Sequence, residues 1–213
     1  MFRTVVVATV FASAVAFAPV GRSTRGSVSM MAGQRSKSLP FLTQPPKLDG
    51  TLAGDEGFDP LGLSNIDNVG LDLYWFREAE LKHSRVAMLA IVGALAQELG
   101  FVLPGLPTGK NQVSVFWEVL DRNPGPIFAG VIFLGIVELI SGVAATEGRK
   151  NGDRAPGDFN FNPLNYGKSD KEKKELALKE IRNGRLAMWA AAGLLLQGTT
   201  TSGGLLDNAV PFP

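Results

Sequence analysis

Cysteine is absent from this sequence of 213 residues, and histidine occurs only once. The absence of cysteine excludes disulfide bonds, thiolate metal sites and cysteine nucleophiles, and one histidine without cysteine argues against a zinc site. The chain also lacks a large excess of positive or negative charge, because its formal net charge is only +1. The whole chain therefore gives no argument for nucleic acid as a partner. No nucleophile–base set or phosphate-binding loop is evident, and the sequence therefore predicts no enzymatic activity.

Acidic residues are missing from the first 48 positions, where the sequence has the features of a targeting signal. Residues 1–16 combine a basic start with an apolar core that is too short for a permanent membrane span, and they end in small residues. This pattern predicts a signal peptide. Residues 17–31 are basic, contain serine and lack acids, which is typical of a transit-like segment for plastid targeting. An ordinary secreted protein is the alternative interpretation.

Three segments predict membrane-spanning helices, at about 71–103, 124–147 and 171–198. A bilayer core requires about 20 mostly apolar residues, and the stretch 126–146 meets this requirement with a single charge, Glu138. The first and third segments begin with polar helix-forming runs and exceed the hydrocarbon thickness, so they would project from it or tilt. We therefore predict an all-α membrane protein with three transmembrane helices, of which the first and third are long.

Basic residues flank these segments unevenly. They are frequent in residues 32–70 and between the second and third segments, rare between the first two, and absent from the tail 199–213. By the positive-inside rule, the regions rich in Lys and Arg share the stromal, cytoplasm-like side of the membrane. The sequence thus predicts a multi-pass protein with a stromal N-terminus and a lumenal C-terminus.

The first and third segments carry an internal repeat. ELKHSRVAMLAIVGALAQ at residues 80–97 aligns with EIRNGRLAMWAAAGLLLQ at residues 180–197, and FDPLG at 58–62 resembles FNPL at 161–164. Repeats of this kind indicate two helices related by a pseudo-twofold axis. Small residues along the repeat allow two helix backbones to approach closely. We expect the first and third helices to cross.

Each copy of the repeat contains a glutamate and, five positions later, an arginine. A charge near the bilayer centre costs about 2.5–3.5 kcal/mol, so intramembrane ions usually pair. Five positions place two side chains about 140° apart around a helix, which suits partners on another helix. We predict two crossed pairs, Glu80 with Arg185 and Glu180 with Arg85. Surface pairs within one helix are the alternative.

The paired glutamates and their neighbours form a set of oxygen and nitrogen donors. Each glutamate retains a lone pair after pairing, and three residues later comes His83 in one copy and Asn183 in the other, on the same side of the helix. Mg²⁺ prefers such hard donors, and a magnesium ion that is already held on its other sides would need only one of them. A structural role is the alternative for His83.

Two further amide donors, Gln97 and Gln197, lie 17 residues after the glutamates. At 1.5 Å per residue, this is about 25 Å along the helix axis. Donors near both membrane faces could hold ligands in two layers.

ELKHSRVAMLA and EIRNGRLAMWA resemble the signature helices of the chlorophyll-binding light-harvesting superfamily, over roughly residues 39–197. The resemblance implies a chlorophyll-binding domain at residues 71–198 and an antenna function, in which chlorophylls and carotenoids absorb light and pass excitation to a photosystem. It also implies that Asp59-Pro60 and Asn162-Pro163 form turns that hold carotenoid head groups. The residues that it marks as axial magnesium ligands are Glu80, His83, Glu138, Glu180, Asn183 and Gln197. The other residues that it places at pigment sites are Gln97, Glu147, Arg85 and Arg185.

The N-terminal SKSLPFLTQPPKLDG, at residues 36–50, resembles the red-lineage algal antennae, of the photosystem I-associated or fucoxanthin chlorophyll a/c type. That resemblance implies chlorophyll a, chlorophyll c and fucoxanthin-like xanthophylls. It implies as partners the photosystem I core, other antenna proteins and the lipids of the plastid thylakoid membrane. Plant members carry a further histidine ligand near the C-terminus, and residues 199–213 contain none.

Two other functions are compatible with parts of the sequence. A stress-type member of the same superfamily would dissipate excess excitation as heat, with lumenal acids sensing pH, and Glu118, Asp121 and Asp207 are the candidate acids here. A small transporter would use the paired charges as a substrate or proton path. The transporter would need unpaired ionisable residues in a polar cavity, whereas each arginine of the repeat has a ready glutamate partner.

Overall fold

The computed structural model describes residues 35–66, 72–102, 107, 111–201 and 203–204. Regular structure in these residues is helical, apart from one isolated bridge between Arg35 and Thr43, and this confirms the predicted all-α class. The predicted segments 1–16 and 17–31 lie outside the described residues, as does most of the tail. The helices are a 3-10 turn at Leu63–Asn65, α1 at Leu73–Glu98, α2 at Gln112–Arg122, α3 at Gly125–Asn151 and α4 at Asp170–Thr200.

Helix α1 begins after a side-chain cap and ends earlier than predicted. Asp72 accepts a hydrogen bond from the backbone amide of Trp75 at 3.1 Å, which satisfies one of the free amides of the first turn. The helix ends at Glu98 rather than near 103. Gly100 follows with a φ of +89°, a left-handed conformation that stops a helix, and Phe101 and Val102 beyond it are not helical.

Helices α3 and α4 agree with the predicted spans to within a few residues. Helix α3 runs four residues past the predicted end and stops at Gly152, whose φ is +68°. Helix α4 starts where the Glu172 carboxylate accepts a hydrogen bond from the Lys168 amide at 3.0 Å. Acidic groups in a first turn also favour the helix dipole. Both boundaries are therefore set by local end signals.

Helix α2 was not predicted from the sequence. Its N-cap is Asn111, whose side-chain oxygen accepts hydrogen bonds from the amides of Val113 at 2.9 Å and Ser114 at 3.3 Å. Apolar residues at positions 113, 116, 117 and 120 follow the i, i+3, i+4, i+7 pattern of an amphipathic helix. An asparagine cap ahead of that pattern was the available signal.

Helices α1 and α4 cross where Ser84 meets Gly184. Ser84 is fully buried, and a Cβ atom on Gly184 would overlap its side chain. One residue of each copy of the repeat therefore forms the closest approach. Ile181 is also fully buried beside the crossing. The described helices thus have the crossed arrangement that the repeat predicts.

Within the described ranges, α3 is the one helix that is long and apolar enough to cross a membrane by length and composition. Its 27 residues would extend about 40 Å at 1.5 Å per residue. None of its most apolar 18-residue stretch is buried inside the protein.

Candidate functional site

The crossed ion pairs predicted from the repeat are present. Arg85 Nε lies 2.7 Å from Glu180 Oε1, and Arg185 Nε lies 2.8 Å from Glu80 Oε1. The alternative, pairing only within one helix, is therefore wrong for these residues. Glu80 also has a local partner, because Arg77 Nη1 lies 3.0 Å from its second oxygen. Each pair joins α1 to α4 and neutralises two charges at the crossing.

Each of the two crossed arginines also donates a hydrogen bond to a glycine carbonyl. Arg85 Nη1 donates to the carbonyl of Gly157 at 2.8 Å, and Arg185 Nη1 donates to the carbonyl of Gly54 at 2.8 Å. Each guanidinium thus bridges a glutamate of the other helix and a loop backbone. The two loops occupy equivalent places on either side of the crossing.

Both loop positions require glycine. Gly54 has a φ of +69° and Gly157 a φ of +77°, which favour a residue without Cβ. A Cβ on Gly54 would lie 2.7 Å from Ile181 Cγ2, and one on Gly157 would overlap Leu81. Leu81 and Ile181 are themselves related by the helix repeat, so the same packing occurs twice.

The loops ahead of α1 and α4 repeat in detail, with each number in the second copy larger by 103. Asp55 accepts a hydrogen bond from the Gly57 amide at 2.8 Å, and Asp158 accepts one from the Asn160 amide at 2.8 Å. The sequence pattern Gly-Asp, shared by positions 54–55 and 157–158, was the signal for this longer repeat.

The Asp-Pro and Asn-Pro turns are also equivalent. Asp59 accepts hydrogen bonds from the amides of Leu63 at 2.9 Å and Ser64 at 2.8 Å. Asn162 accepts one from the Tyr166 amide at 3.1 Å. Partial burial raises the pKa of Asp59, but hydrogen bonds from Ser64 and Leu63 outweigh it and hold that pKa below its usual value. These turns fix the loops that carry the glycine carbonyls.

The histidine is oriented by a backbone hydrogen bond. His83 Nδ1 lies 2.8 Å from the carbonyl oxygen of Ala79. Because a carbonyl can only accept, Nδ1 carries the proton, and Nε2 of the neutral ring is left as a lone-pair donor. A second-sphere bond of this kind is how metal-binding histidines are held. The ring is exposed on the outer face of α1.

The asparagine at the repeat-related position is oriented in the same way. Asn183 Nδ2 donates to the carbonyl of Lys179 at 3.0 Å, four residues earlier, as Ala79 is for His83. The amide oxygen of this exposed side chain then points away from the backbone bond as a free acceptor. Two chemically different residues thus present one outward donor each, by the same local geometry.

The two glutamines differ in exposure. Gln197 is exposed in the last turns of α4, whereas Gln97 is half-buried near the end of α1 and makes an interaction of its own. The backbone carbonyl of Gln197 accepts a hydrogen bond from the Thr201 amide at 2.7 Å. Of the two, Gln197 has the more accessible side chain.

The carboxylates of α3 are in different situations. Glu138 is paired with Lys82 of α1 at 2.7 Å, a contact that was not predicted, and Lys82 Nζ also donates to Ser141 Oγ at 3.0 Å. The Glu138 side chain remains 68% exposed. Glu147 is exposed and forms no ion pair with other described residues. Each carboxylate thus keeps an accessible oxygen.

Comparison with known protein families identifies the family to which this chain belongs. The family model described as Chlorophyll A-B binding protein matches residues 44–199. The chain belongs to the chlorophyll a/b-binding protein family. It is a light-harvesting antenna protein, and its family consists of pigment-binding proteins rather than enzymes.

Three relatives of this family member are chloroplast proteins of green plants. Photosystem I chlorophyll a/b-binding protein 5 of Arabidopsis thaliana is 36% identical over 211 residues, covering 84% of this chain and 76% of the relative. Photosystem I chlorophyll a/b-binding protein 3-1 of the same plant is 36% identical, covering 81% and 71%. Chlorophyll a-b binding protein P4 of Pisum sativum is 34% identical, covering 91% and 79%.

The donors of this family member fit a chlorophyll. A magnesium ion inside a tetrapyrrole needs a single further ligand, and no group of three or more acidic or histidine residues among those described gathers to chelate a free ion. The large apolar side chains beside the donors are exposed, including Val86, Leu89, Leu186 and Trp189. Such a surface would contact a planar ring from one side while the donor reaches its metal.

Glycines of the helices leave space for such rings. A Cβ atom at Gly93, Gly193, Gly135 or Gly142 would meet no atom within 4 Å. Internal packing of the polypeptide therefore does not explain these glycines. Close approach of a ring to the helix backbone would explain them.

Proposed function

We propose that this antenna protein holds chlorophylls through axial ligands on three membrane-spanning helices of the thylakoid. The observation that carries the proposal is the matched orientation of His83 and Asn183, each held by a hydrogen bond to the carbonyl four residues earlier. A lone structural histidine has no reason to share its geometry with an asparagine at the same place in a second repeat. Two equivalent ligand positions provide that reason.

The other ligands follow from charge neutrality and exposure. Glu80 and Glu180 would hold magnesium while paired with Arg185 and Arg85, so that each crossed pair cancels its own two charges. Glu138 acts likewise with Lys82 as its cation. Gln197 serves as a ligand near the opposite end of α4. Gln97 and Glu147 complete the pigment sites.

Bound chlorophylls supply light absorption and excitation transfer, and the chain sets their positions. Both ion pairs and both glycine carbonyls hold α1 and α4 at their crossing. The crossing in turn sets the relative orientation of the Glu80 and Glu180 sites. The backbone hydrogen bonds of His83 and Asn183 restrict each donor to one direction. Exposed apolar side chains exclude water from the metal face.

The three-span topology is supported by the same ion pairs. Helices α1 and α4 have 26 and 31 residues, which is enough to span a bilayer core of about 20 residues. Pairing removes much of the cost of their charges. The distribution of Lys and Arg then favours a stromal N-terminus and a lumenal C-terminus.

The proposal extends to pigments and partners. Chlorophyll a is the main pigment, with chlorophyll c and fucoxanthin-like xanthophylls, and photosystem I is the acceptor of excitation. The photosystem I proteins among the relatives support that partner. The resemblance of residues 36–50 to red-lineage algal antennae supports chlorophyll c and the fucoxanthin-like xanthophylls.

Exchange of His83 tests the ligand assignment. The variant H83N places at this position the residue that already occupies the equivalent site in α4, whereas H83L has no donor. After reconstitution with chlorophyll and carotenoid, we expect H83L to lose about one chlorophyll per polypeptide and H83N to retain it. Equal pigment content in wild type and H83L would contradict the assignment. Equal losses in both variants would indicate a requirement for imidazole itself.

A further inference from the structure

Glu78 is a buried carboxylate that none of the proposed pigment sites uses. It lies in α1 and is 1% exposed, although burial of a charge without partners is costly. Its partners come from the loop after α3. Arg154 Nη2 lies 3.0 Å from Glu78 Oε1, and the backbone amide of Gly157 donates to Glu78 Oε2. Both carboxylate oxygens are thus occupied by one loop.

Further contacts fix the arginine of this cluster. Arg154 Nη1 donates to the Tyr74 hydroxyl at 3.3 Å, and its guanidinium lies 4.2 Å from the centre of the Phe159 ring. The Arg154 side chain is 13% exposed. A guanidinium held by a carboxylate, a hydroxyl and an aromatic face has little freedom to move. The cluster is therefore a rigid anchor for residues 154–159.

The peptide of Gly157 connects this anchor to a pigment site. Its amide donates to Glu78, and its carbonyl accepts from Arg85 Nη1 at 2.8 Å. Arg85 in turn pairs with Glu180 through Nε at 2.7 Å. A continuous series of hydrogen bonds thus runs from the buried Glu78 to the Glu180 carboxylate of the other helix.

The equivalent series is missing on the other side of the crossing. In the repeat, Glu78 corresponds to Leu178 and Arg77 to Ala177. The Glu80 carboxylate is instead held by Arg77 directly at 3.0 Å. The two pseudo-equivalent sites are therefore supported differently, one through a loop anchored by Glu78 and one through a second arginine.

We infer that Glu78 is a positioning residue for the chlorophyll site at Glu180, acting through Gly157 and Arg85, and that the Glu80 site does not depend on it. The inference rests on the proposed function, because it concerns one of its ligand sites. Loss of the Glu78 charge releases the 154–159 loop, and Arg85 then loses the carbonyl that directs its guanidinium toward Glu180. The Glu180 oxygen is no longer held in one direction for a metal.

The variants separate positioning from folding. E78Q removes the charge but keeps a side chain of the same shape. Removing one member of a buried pair leaves the other charge uncompensated, so the double variant E78Q/R154Q, which removes both charges, is tested beside it. D72N is the matched control, because Asp72 pairs with Arg149 at 2.8 Å at the same end of α1 without touching either crossed pair.

The experiment is reconstitution of the full chain with chlorophyll a and carotenoid, followed by pigment counting and difference absorbance spectra. E180L and E80L define the bands of the two sites. We expect E78Q and E78Q/R154Q to lose about one chlorophyll, with a difference spectrum that matches E180L, and D72N to match wild type. Hydrogen exchange of the 152–160 peptide should also rise in both Glu78 variants and stay unchanged in D72N.

The outcomes distinguish this inference from the function on which it rests. A wild-type chain that binds no chlorophyll would overturn both. If wild type binds chlorophyll and E180L loses one, but the Glu78 variants keep it or lose bands of both sites equally, only the positioning role is overturned. Should E78Q fail to assemble, the double variant is scored by the same criterion.

Discussion

Three of the glutamates proposed as ligands, Glu80, Glu138 and Glu180, each form an ion pair with a basic side chain of another helix. Glu80 and Glu180 take theirs from the opposite crossed helix, whereas Glu138 of α3 takes Lys82 from α1. The first two pairs follow from the repeat and were predicted. The third has no counterpart in the repeat, because α3 is not part of it, and residue patterns give no register between α1 and α3.

Removal of Lys82 tests whether Glu138 needs its cation. We expect K82M to lower the free energy of unfolding by about 2 kcal/mol, because a single charge then remains at membrane depth. The double variant K82M/E138Q should recover most of that loss, since neither charge remains. Thermal unfolding in detergent, followed by helical circular dichroism, measures both. A double variant no more stable than K82M would contradict the role of the pair.

Asp59 gives a pH dependence whose sign follows from its lowered pKa. A carboxyl whose pKa is lower in the folded state than the usual 3.8 contributes stability above that pH and loses it as the pH falls through the folded pKa. D59N should therefore show a smaller fall of the unfolding midpoint below about pH 4 than wild type. Melting curves between neutral and acidic pH measure the difference.

The repeat supplies the converse variant for the same experiment. N162D places an aspartate in the equivalent turn, so it should add a pH dependence of the same sign. An unchanged pH profile in both variants would show that these turns do not couple to folding.

At the scale of the helices, the crossing depends on one glycine. G184A places a methyl group against the buried Ser84, and overpacking of this kind costs about 1–3 kcal/mol. The double variant S84G/G184A should regain stability, because it moves the small side chain to the other helix. G130A is the control, since a Cβ there meets no atom within 4 Å. Chemical or thermal unfolding measures all three.

If G184A lowers the stability no more than G130A does, this packing is contradicted. The sequence signal for it was a small residue at the same position of both copies of the repeat, Ser84 and Gly184. Small residues predicted close approach, but which pair makes the contact depends on the crossing angle, which a sequence pattern does not fix.

Asn111 joins α2 to α4, and its contacts lead to a second prediction about the helices. It caps α2, and its Nδ2 donates to the carbonyls of Gly198 at 2.9 Å and Thr201 at 3.1 Å. N111S keeps an N-cap oxygen but cannot reach α4, and N111A loses both functions. We expect stability to fall in the order wild type, N111S, N111A, with about 1 kcal/mol between the last two.

Unfolding curves of the purified variants measure that order. Equal stability of N111S and N111A would contradict the capping role, and equal stability of N111S and wild type would contradict the link to α4. Helix α2 itself was missed from the sequence because its apolar stripe is short and lies between two strong membrane-span signals.

At the scale of the whole molecule, α3 is attached mainly through long charged side chains. Ion pairs join it to α1 through Lys82–Glu138 and to the N-cap of α1 through Asp72–Arg149, and the Glu78–Arg154 anchor joins α1 to the loop after α3. Close backbone packing is found mainly between α1 and α4, with a smaller contact between α2 and α4. A helix attached in this way would leave room for the pigment rings that we propose between the helices.

The sequence predicted the crossed helices and the ion pairs, because a repeat with charges in register has few ways to bury them. The set of pigment ligands stays a prediction. It did not predict the loop contacts of Gly54 and Gly157, although the shared Gly-Asp was visible. The buried Glu78 was also missed, since an Arg-Glu-Ala-Glu run at the start of a helix is usually a solvated face. Its burial depends on a loop that returns from a distant part of the chain.

The central claim is tested most directly by the absorbance and fluorescence-excitation spectra of the purified or pigment-reconstituted chain. The account predicts chlorophyll a emission that is excited through carotenoid bands, with a chlorophyll c Soret band in the excitation spectrum. Chlorophyll a emission without that Soret band would contradict the proposed chlorophyll c and leave the antenna function and the ligand assignments in place. A folded, colourless three-helix protein would contradict the ligand assignments on which the account rests.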